Sequence, residues 1–366
     1  MENLHKPQLP AAVGAVARYN ANPMRRLALI NQKGGVGKTT TSVNLGAALA
    51  EAGQRVVVCD LDPQANLTLH LGIGLDEGAA TTYRVLLGQA EVADAVVDTT
   101  TPGLRVLPTD IDLSGAEMEL AGAFGRETLL RDAIDRWEQA YRDEHGEAPA
   151  DFLILDCPPS LGLLAVNGLA AANEVLLVVQ TQFFALQGLT KLMEVVELVK
   201  SRIQPDLDVT GIVACLYDSR LRLAREVLGE IRKYFPGLVF RQTIGTNVKL
   251  AEAPSFGQTI LQYAPQSPGA KDYRGLAAEV LAMTAEVAPE NGEVVPQAPP
   301  AQTSEPAPTA QAPASTPAPA VEAAPAPVTV PQPSSPSDPG AAPSSDTTSS
   351  TPPHAAPEPS PHAGNA

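Results

Sequence analysis

The sequence is poor in cysteine, in aromatic residues and in long apolar runs. Its 366 residues include three cysteines, and aromatic residues make up 4% of the chain. No CxxC pair or Cys/His cluster occurs, so a zinc or iron–sulfur site is not expected, and Cys59, Cys157 and Cys215 are predicted to be buried thiols of a reducing compartment. No run of 18 apolar residues and no signal-peptide pattern occurs, so neither a transmembrane helix nor secretion is expected.

Lysine and arginine are absent from residues 289–366, which contain seven acids and are dominated by Pro, Ala, Ser and Thr. Such a composition cannot bury enough surface to offset its ordering entropy, so residues 288–366 are predicted to form a disordered tail. Residues 1–25 contain three prolines and no clear periodicity, and are predicted to be a flexible arm. The net charge of −16 argues against nucleic acid at first sight, but nearly half of it lies in the tail.

Residues 26–287 are predicted to form one domain in which short apolar runs alternate with helical stretches. The strands are predicted at residues 27–31, 55–60, 104–107, 152–156, 174–180, 209–216 and 238–244. The clearest helices are predicted at residues 38–52, 127–144, 188–200, 221–234 and 271–287. This alternation is typical of an α/β fold with a mostly parallel sheet that is covered by helices on both faces.

The strongest local signal is a glycine-rich loop that follows a predicted strand and opens a predicted helix. In such a loop, backbone N–H groups and the helix N-terminus face a polyphosphate. Lys38 is expected to reach the β- and γ-phosphates, Thr39 to ligate Mg²⁺ and Thr40 to touch the α-phosphate. The residues predicted to bind nucleotide are Lys33, Gly34, Gly35, Val36, Gly37, Lys38, Thr39 and Thr40.

Acidic residues stand at the ends of two predicted strands. Asp60 and Asp62 lie in the run DLDPQ, and Asp156 ends the run FLILD. The carboxyl ends of parallel strands meet where such sheets bind ligands, so these carboxylates are expected near the nucleotide, with Asp156 beside the metal through a water. For Asp60 and Asp62 the alternative is a turn with an aspartate capping the next helix. Pro158 and Pro159 are expected to stop the strand and to start the following helix.

The loop departs from the ordinary GxxxxGK[ST] pattern, since Gln32 occupies the first position and a second lysine, Lys33, stands at its entrance. This KGGxGKT form resembles the deviant Walker A motif of the ParA/MinD family of P-loop NTPases. The runs DLDPQ and FLILDCPPS resemble the Walker A′ and Walker B elements of that family.

The resemblance implies that the protein is an ATPase with ATP and Mg²⁺ as cofactors. It implies that Lys33 crosses a sandwich homodimer to the nucleotide of the other subunit, and that Asp62 polarises the attacking water. The catalytic residues implied are Lys33, Lys38 and Asp62, and those serving the metal are Thr39, Asp60 and Asp156.

Longer runs narrow the resemblance to chromosomal ParA (Soj-like) proteins over roughly residues 25–287. They are NQKGGVGKTTTSVNLGAALA, DCPPSLGLLAVNGL and KLAEAPSFGQTI. The resemblance implies DNA segregation by an ATP-bound dimer that binds DNA nonspecifically and is released when a ParB-type partner stimulates an otherwise slow hydrolysis. The location implied is cytoplasmic and nucleoid-associated, without a membrane partner. By the same likeness, Arg220 and Lys249 are the DNA-binding residues.

A basic region surrounds these two residues, since residues 217–251 contain seven basic residues and three acids. Such a patch on an acidic protein is typical of contact with phosphate backbones. The alternative, most plausible for Arg222 and Arg225, is that the cations pair with neighbouring acids. Gly245-Thr246-Asn247 stands where the family usually has Pro-Arg-Asn, so DNA affinity is expected to be weaker or to rest more on Lys249, Lys271 and Arg274.

Three other protein classes share this kind of loop. A MinD-like cell-division ATPase needs a basic amphipathic membrane helix at its C-terminus, whereas the tail has no lysine or arginine. An iron-protein-like reductase needs interface cysteines for a cluster, whereas Cys59 and Cys157 lie within or beside predicted strands. A metabolic ligase is expected to carry a substrate domain, for which the sequence shows no signal. The ParA-type ATPase is therefore favoured, with the MinD-like protein as the alternative.

Overall fold

Residues 24–285 are described by the structure, a computed structural model. Their strands form one sheet of order β3-β4-β2-β5-β1-β6-β7. The strands are β1 (Arg25–Ile30), β2 (Val56–Asp60), β3 (Val97–Asp98), β4 (Leu104–Leu107), β5 (Phe152–Asp156), β6 (Glu174–Gln180) and β7 (Asp208–Cys215). All neighbours are parallel except the short antiparallel pair β3–β4, which the sequence did not predict.

Twelve α-helices accompany the sheet within residues 24–285. They are α1 (Lys38–Glu51), α2 (Asn66–His70), α3 (Thr82–Leu86), α4 (Val92–Ala95), α5 (Ala116–Glu119), α6 (Leu129–His145), α7 (Leu163–Ala171), α8 (Ala185–Arg202), α9 (Arg222–Tyr234), α10 (Val248–Glu252), α11 (Ile260–Tyr263) and α12 (Pro268–Ala285). Short 3-10 turns lie at Ile111–Gly115, Leu120–Gly122 and Ala253–Phe256. The helix α7 begins at Leu163 rather than at the prolines, so Pro158 and Pro159 end β5 without starting the helix.

The sheet separates two hydrophobic cores. Alternate residues of a strand point to opposite faces, and β1 shows this directly: Leu27 and Leu29 lie in one core, Ala28 and Ile30 in the other. The core on the Leu27 side is closed by α1 and α12, and the opposite core by α6, α7 and α8. The predicted α/β class with helices on both faces is therefore confirmed.

The strand order indicates where this sheet binds a ligand, namely at the carboxyl ends of its parallel strands, called the ligand edge below. Because β5 lies between β1 and β2, consecutive strands diverge at this point and leave a crevice at their carboxyl ends. The glycine loop follows β1 there, while Asp60 and Asp156 end β2 and β5. The fold thus brings together segments that are far apart in sequence.

The strand predicted at residues 238–244 is wrong. The segment forms one isolated bridge with β7, between Ile212 and Val239, and a second bridge joins Tyr217 and Gly245 just beyond the two segments. Between these points the amides of Arg241 and Gln242 donate to the carboxylate of Glu279 on α12, at 2.9 and 2.7 Å. Since a side chain takes these two donors, no continuous ladder forms.

The predicted N-terminal arm, residues 1–25, overlaps the first strand of the folded domain. Met24 is buried and Arg25 begins β1, where its guanidinium bonds both oxygens of Glu174 at 2.7 Å and lies over the ring of Phe152. Residues 1–23 and 286–366, which carry the rest of the predicted arm and tail, lie outside the described residues. Cys59, Cys157 and Cys215 are free and buried, as predicted. No helix within residues 24–285 is long and apolar enough to cross a membrane.

Candidate nucleotide site and basic surface

The glycine loop leaves the N-terminus of α1 open to an anion. Gly35 and Gly37 have φ angles of +72° and +96°, which side chains rarely adopt. Gly37 is the capping residue of α1, and in the described part of the chain the helix has no side-chain cap. Among residues 24–285, a Cβ at Gly34 or Gly35 would meet nothing within 4 Å, so the domain leaves room for a ligand over the loop. These amides, with the positive end of the helix, suit a phosphate.

Lys38, in the first turn of α1, is buried at the bottom of this loop. Burial lowers the pKa of Lys38, while the nearby carboxylates of Asp156 and Asp62 raise it. A buried ammonium is favourable where anions surround it, so Lys38 fits a polyphosphate that would add charge beside these two acids. Thr40 follows in the same turn, half-buried, and its carbonyl accepts from Asn44 Nδ2.

Asp156 gathers hydroxyl groups at the end of β5. It accepts from Thr39 Oγ1 at 2.7 Å and from Ser42 Oγ at 2.8 Å. Burial raises the pKa of Asp156 to about 7, and the charge of Asp60 adds to the rise. Burial likewise raises the pKa of Asp60 to about 6. Two buried carboxylates beside a threonine hydroxyl form a hard oxygen donor set, which fits Mg²⁺ bound together with phosphate and water oxygens.

Asp60 also fixes the start of the next segment. Its Oδ2 accepts from the amide and the hydroxyl of Thr68 on α2, at 2.9 and 2.8 Å, and its Oδ1 accepts from the amide of Asp62 at 3.2 Å. Asp62 Oδ1 accepts from the amide of Gln64 at 3.0 Å. The turn expected for DLDPQ is therefore present, but the N-cap of α2 is Ala65 and not an aspartate as the alternative supposed.

Two contributing residues were not predicted from the sequence. Ser42 lies one helical turn after Lys38, and this spacing could have indicated that both face the same site. Thr68 carries no such signal, because its contact with Asp60 depends on how the segment after β2 returns to the sheet.

Lys33 lies at the loop entrance and turns toward β6. Its Nζ donates to the amide oxygens of Gln182 and Gln180, the latter at 3.3 Å. Its backbone amide donates to Asn31 Oδ1 at 2.7 Å, and Asn31 Nδ2 in turn donates to the carbonyl of Val178. Lys33 is thus held by neutral amides at the end of β6, whereas Lys38 lies among the carboxylates.

The two predicted DNA-binding residues lie on segments that meet. The amide of Tyr217 donates to the carbonyl of Ile244 at 3.0 Å. The amide of Thr246 donates to the carbonyl of Tyr217 at 3.3 Å. This contact places the loop that carries Arg220 beside the segment that leads to Lys249 on α10. Both side chains are exposed, with Arg220 89% accessible.

Acidic neighbours bind several cations of the basic region. The pairs are Arg220–Asp218, Arg222–Glu226, Lys233–Glu230 and Lys249–Glu252. Pairing was expected for Arg222 and Arg225, and it is found for Arg222. Arg225 instead donates to the carbonyls of Ser219 and Arg220, at 2.5 and 3.1 Å.

Arg274 pairs with an acidic residue of another helix. Its guanidinium donates to both oxygens of Glu51 on α1, at 2.5 and 2.9 Å, and to the carbonyl of Pro265. Arg274 is thus ion-paired with α1 across the helix pair, and its contribution to DNA binding stays a prediction.

Comparison with known proteins identifies the family. A family model described as an AAA domain matches residues 24–209. The chromosome partitioning protein ParA of Caulobacter vibrioides is 46% identical over 262 residues, which cover 72% of this chain and 96% of that protein. The sporulation initiation inhibitor protein Soj of Bacillus subtilis is 44% identical over 256 residues, which cover 70% and 98% of the two chains.

Solved structures agree with the fold. A cobyrinic acid a,c-diamide synthase from Mycobacterium smegmatis, with bound ADP and magnesium, is 36% identical at a TM-score of 0.61, with 72% of this chain and 96% of that one covered. The septum site-determining protein MinD of Pyrococcus horikoshii, complexed with Mg-ADP, is 27% identical at a TM-score of 0.58, with 73% and 99% covered. The four proteins are covered almost equally, and the higher identity of the ParA and Soj proteins, 46% and 44% against 36% and 27%, decides between these relatives. The chain therefore belongs to the ParA/Soj family of chromosome-partitioning ATPases.

Proposed function

We propose that this ATPase acts in DNA segregation as a nucleotide-switched dimer. ATP binding joins two subunits, the dimer binds DNA without sequence preference, and hydrolysis stimulated by a ParB-type partner ends the bound state. The observation that carries this proposal is the position of Lys33, whose ammonium is held by two glutamine side chains and not by the carboxylates of its own site. The Lys33 ammonium is therefore available to the nucleotide of a second subunit.

Nucleotide binding is assigned to the loop and the first turn of α1. The amides of Gly34, Gly35, Val36 and Gly37 surround the phosphates, Lys38 reaches the β- and γ-phosphates, and Thr40 touches the α-phosphate. Mg²⁺, when bound, stabilises the charge that develops on the phosphates during transfer. Thr39 and Asp156 would hold this ion, and Asp60, which fixes the start of α2 through Thr68, would lie beside them.

Asp62 is assigned to the attacking water. Asp62 lies at the ligand edge, two residues after the end of β2. The backbone amide of Gln64 donates a hydrogen bond to its carboxylate and holds it in a turn. It is partly exposed, unlike Asp60 and Asp156, so water can reach it. The carboxylate orients the water and accepts its proton.

DNA binding is assigned to Arg220 and Lys249. Their segments meet at Tyr217 and Gly245, and a dimer presents two copies of this surface. Dispersed lysine and arginine side chains without a recognition helix bind phosphates and not base edges, so binding is independent of sequence. Because one dimer carries two copies of the surface, we expect it to bind DNA much more tightly than the monomer does.

The test is ATP-driven dimerisation of Lys33→Ala, measured by sedimentation with ATP, with ADP and without nucleotide. We expect the variant to bind ATP and to stay monomeric, while the wild type dimerises with ATP alone. Gln32→Ala is the matched control, because Gln32 is the exposed neighbour that carries no charge. A Lys33→Ala protein that dimerises like the wild type would reject the assignment in trans.

A further inference from the structure

The end of β6 exposes two adjacent phenylalanines beside the Lys33 contact. Phe183 and Phe184 are 75% and 71% accessible, and their rings meet edge to face with centroids 5.0 Å apart. Other large apolar side chains are also exposed singly, but two adjacent rings in contact form a contiguous apolar surface, and such surfaces mark interaction sites. Phe183 directly follows Gln182, which binds Lys33.

The stretch of sequence that contains this pair has no charged residue. From Val175 to Thr190 the sequence contains no Asp, Glu, Lys or Arg, and the exposed part of this run is Gln182, Phe183, Phe184 and Gln187. The whole chain carries a net charge of −16, so two copies repel each other unless they meet through neutral or complementary surfaces. The aromatic pair offers a neutral apolar surface at the nucleotide edge of the sheet.

We infer that Phe183 and Phe184 form a self-association surface that packs against a second copy of this chain in the ATP-bound dimer. The inference rests on the proposed function: if Lys33 crosses to the second subunit, the side chains that touch Lys33 lie at the interface. Gln182 touches it, and the aromatic pair is contiguous with Gln182 along the chain. A two-fold interface of this kind pairs the same patch from both subunits.

The same geometry gives the monomer a resting position for Lys33. Gln180 and Gln182 hold its ammonium while the aromatic pair is exposed, and both arrangements change together when a second subunit arrives. Lys33 moves to the nucleotide of the other subunit, and the phenylalanines become buried. The aromatic surface therefore stabilises the dimer without touching nucleotide.

The test is the dissociation constant of the dimer of Phe183→Ser/Phe184→Ser, measured by sedimentation equilibrium with a non-hydrolysable ATP analogue. Burial of one phenylalanine corresponds to roughly tenfold to a hundredfold in an equilibrium constant, so we expect the constant to rise at least about tenfold. Affinity of the monomer for the analogue should stay within about twofold. The matched control is Leu198→Gln, another exposed apolar residue about 20 Å further along α8, which should dimerise like the wild type.

The outcomes separate the two proposals. If the wild type itself stays monomeric with the analogue, the proposed dimer fails, and this inference fails with it. If the wild type dimerises and the double variant does so equally well, the aromatic surface is not at the interface, while the proposed function stands. A double variant that dimerises normally but loses stimulation by a ParB-type partner would show that this surface binds the partner, and would overturn the inference.

Discussion

Asp60 and Asp156 lie opposite each other as the last residues of the neighbouring parallel strands β2 and β5. Both are fully buried, and burial raises the pKa of Asp156 to about 7 and that of Asp60 to about 6. Two adjacent buried carboxylates are costly to ionise together. A divalent cation beside the two carboxylates relieves this cost. The same arrangement that makes their ionisation costly without a cation therefore favours the binding of one.

The first prediction is a pH-dependent stability that comes from Asp156. A folded-state pKa of about 7, above the ordinary value of 3.8, means that the folded protein keeps a proton that the unfolded chain has lost. This contribution is complete below about pH 4 and is lost as the pH rises through about 7. Asp156→Asn cannot ionise, so between pH 5 and pH 8 it should gain stability relative to the wild type, by roughly 2–4 kcal/mol.

The measurement is urea unfolding of the nucleotide-free, magnesium-free proteins at pH 5, 6, 7 and 8. The control is Asp76→Asn, which removes an exposed carboxylate that is not part of the buried strand-end pair. A difference between Asp156→Asn and the wild type that is constant over this range would contradict the raised pKa.

The second prediction separates binding from turnover. Lys38→Ala should lose nucleotide binding, because the buried ammonium that meets the phosphates is gone. Asp62→Ala should bind ATP and dimerise but hydrolyse it at least about a hundredfold more slowly, as expected for the loss of a general base. Equilibrium binding, sedimentation and phosphate release measure the three steps. A monomeric Asp62→Ala protein in ATP would reject the role assigned to Asp62.

Much of the nucleotide site could be predicted from the sequence because its signals are local. The glycines, Lys38 and Thr39 occupy consecutive positions after one strand, and the strand-end acids follow from the rule that parallel strands share one ligand edge. Ser42 and Thr68 were not predicted. The contact of Ser42 with Asp156 depends on which face of α1 is turned toward β5, and the contact of Thr68 with Asp60 depends on how the chain after β2 returns to the sheet. The roles assigned to all these residues remain predictions for experiment.

The fold could be predicted where a run is long and buried, and less well where tertiary contacts decide. Strands β5 and β6 have the predicted bounds, because their runs are continuously apolar. The run at 238–244 has a similar strand-like sequence, but two of its backbone amides donate to the carboxylate of Glu279 on α12 instead of to a neighbouring strand. The ion pair of Arg274 with Glu51 likewise joins residues more than 200 positions apart, which charge counting along the sequence cannot reveal.

The third prediction concerns the DNA surface. Arg220→Glu and, separately, Lys249→Glu should weaken binding of nonspecific duplex DNA at least about tenfold in ATP, and each should lower the log–log salt slope by about one unit for every phosphate that the variant no longer binds. Dimerisation should not change, because both side chains are exposed and their ion pairs are with residues two or three positions away on the same segment. Arg136→Glu is the control, an exposed arginine on α6 outside the basic region. If both reversals bind like the wild type, the surface lies elsewhere.

The same surface can be strengthened. Thr246→Arg restores the charge that the family usually carries there, and it should raise DNA affinity and the salt slope. Glu252→Gln should act in the same direction, because the carboxylate now held by Lys249 at 2.8 Å competes with DNA phosphates. Titrations at several salt concentrations measure both effects, and unchanged affinity in both variants would contradict the assignment of this region.

The fourth prediction concerns the tail. Deletion of the residues after Val287 should leave the melting temperature, the ATPase rate and DNA binding nearly unchanged. The reason is composition, since residues 289–366 contain few large apolar residues and no lysine or arginine that could bind DNA. Thermal unfolding of the shortened protein against the full chain is the measurement. A fall of more than a few degrees would show that the tail packs against the domain.

The fifth prediction tests the nucleotide switch most directly: binding of the full-length wild type to a nonspecific duplex with ATP, with ADP and without nucleotide, at one fixed salt concentration. We predict binding in ATP alone, because the dimer that presents two copies of Arg220 and Lys249 forms only then. A second duplex of unrelated sequence should bind equally well. Equal DNA affinity in all three nucleotide conditions would contradict the switch, and so would failure to bind in ATP.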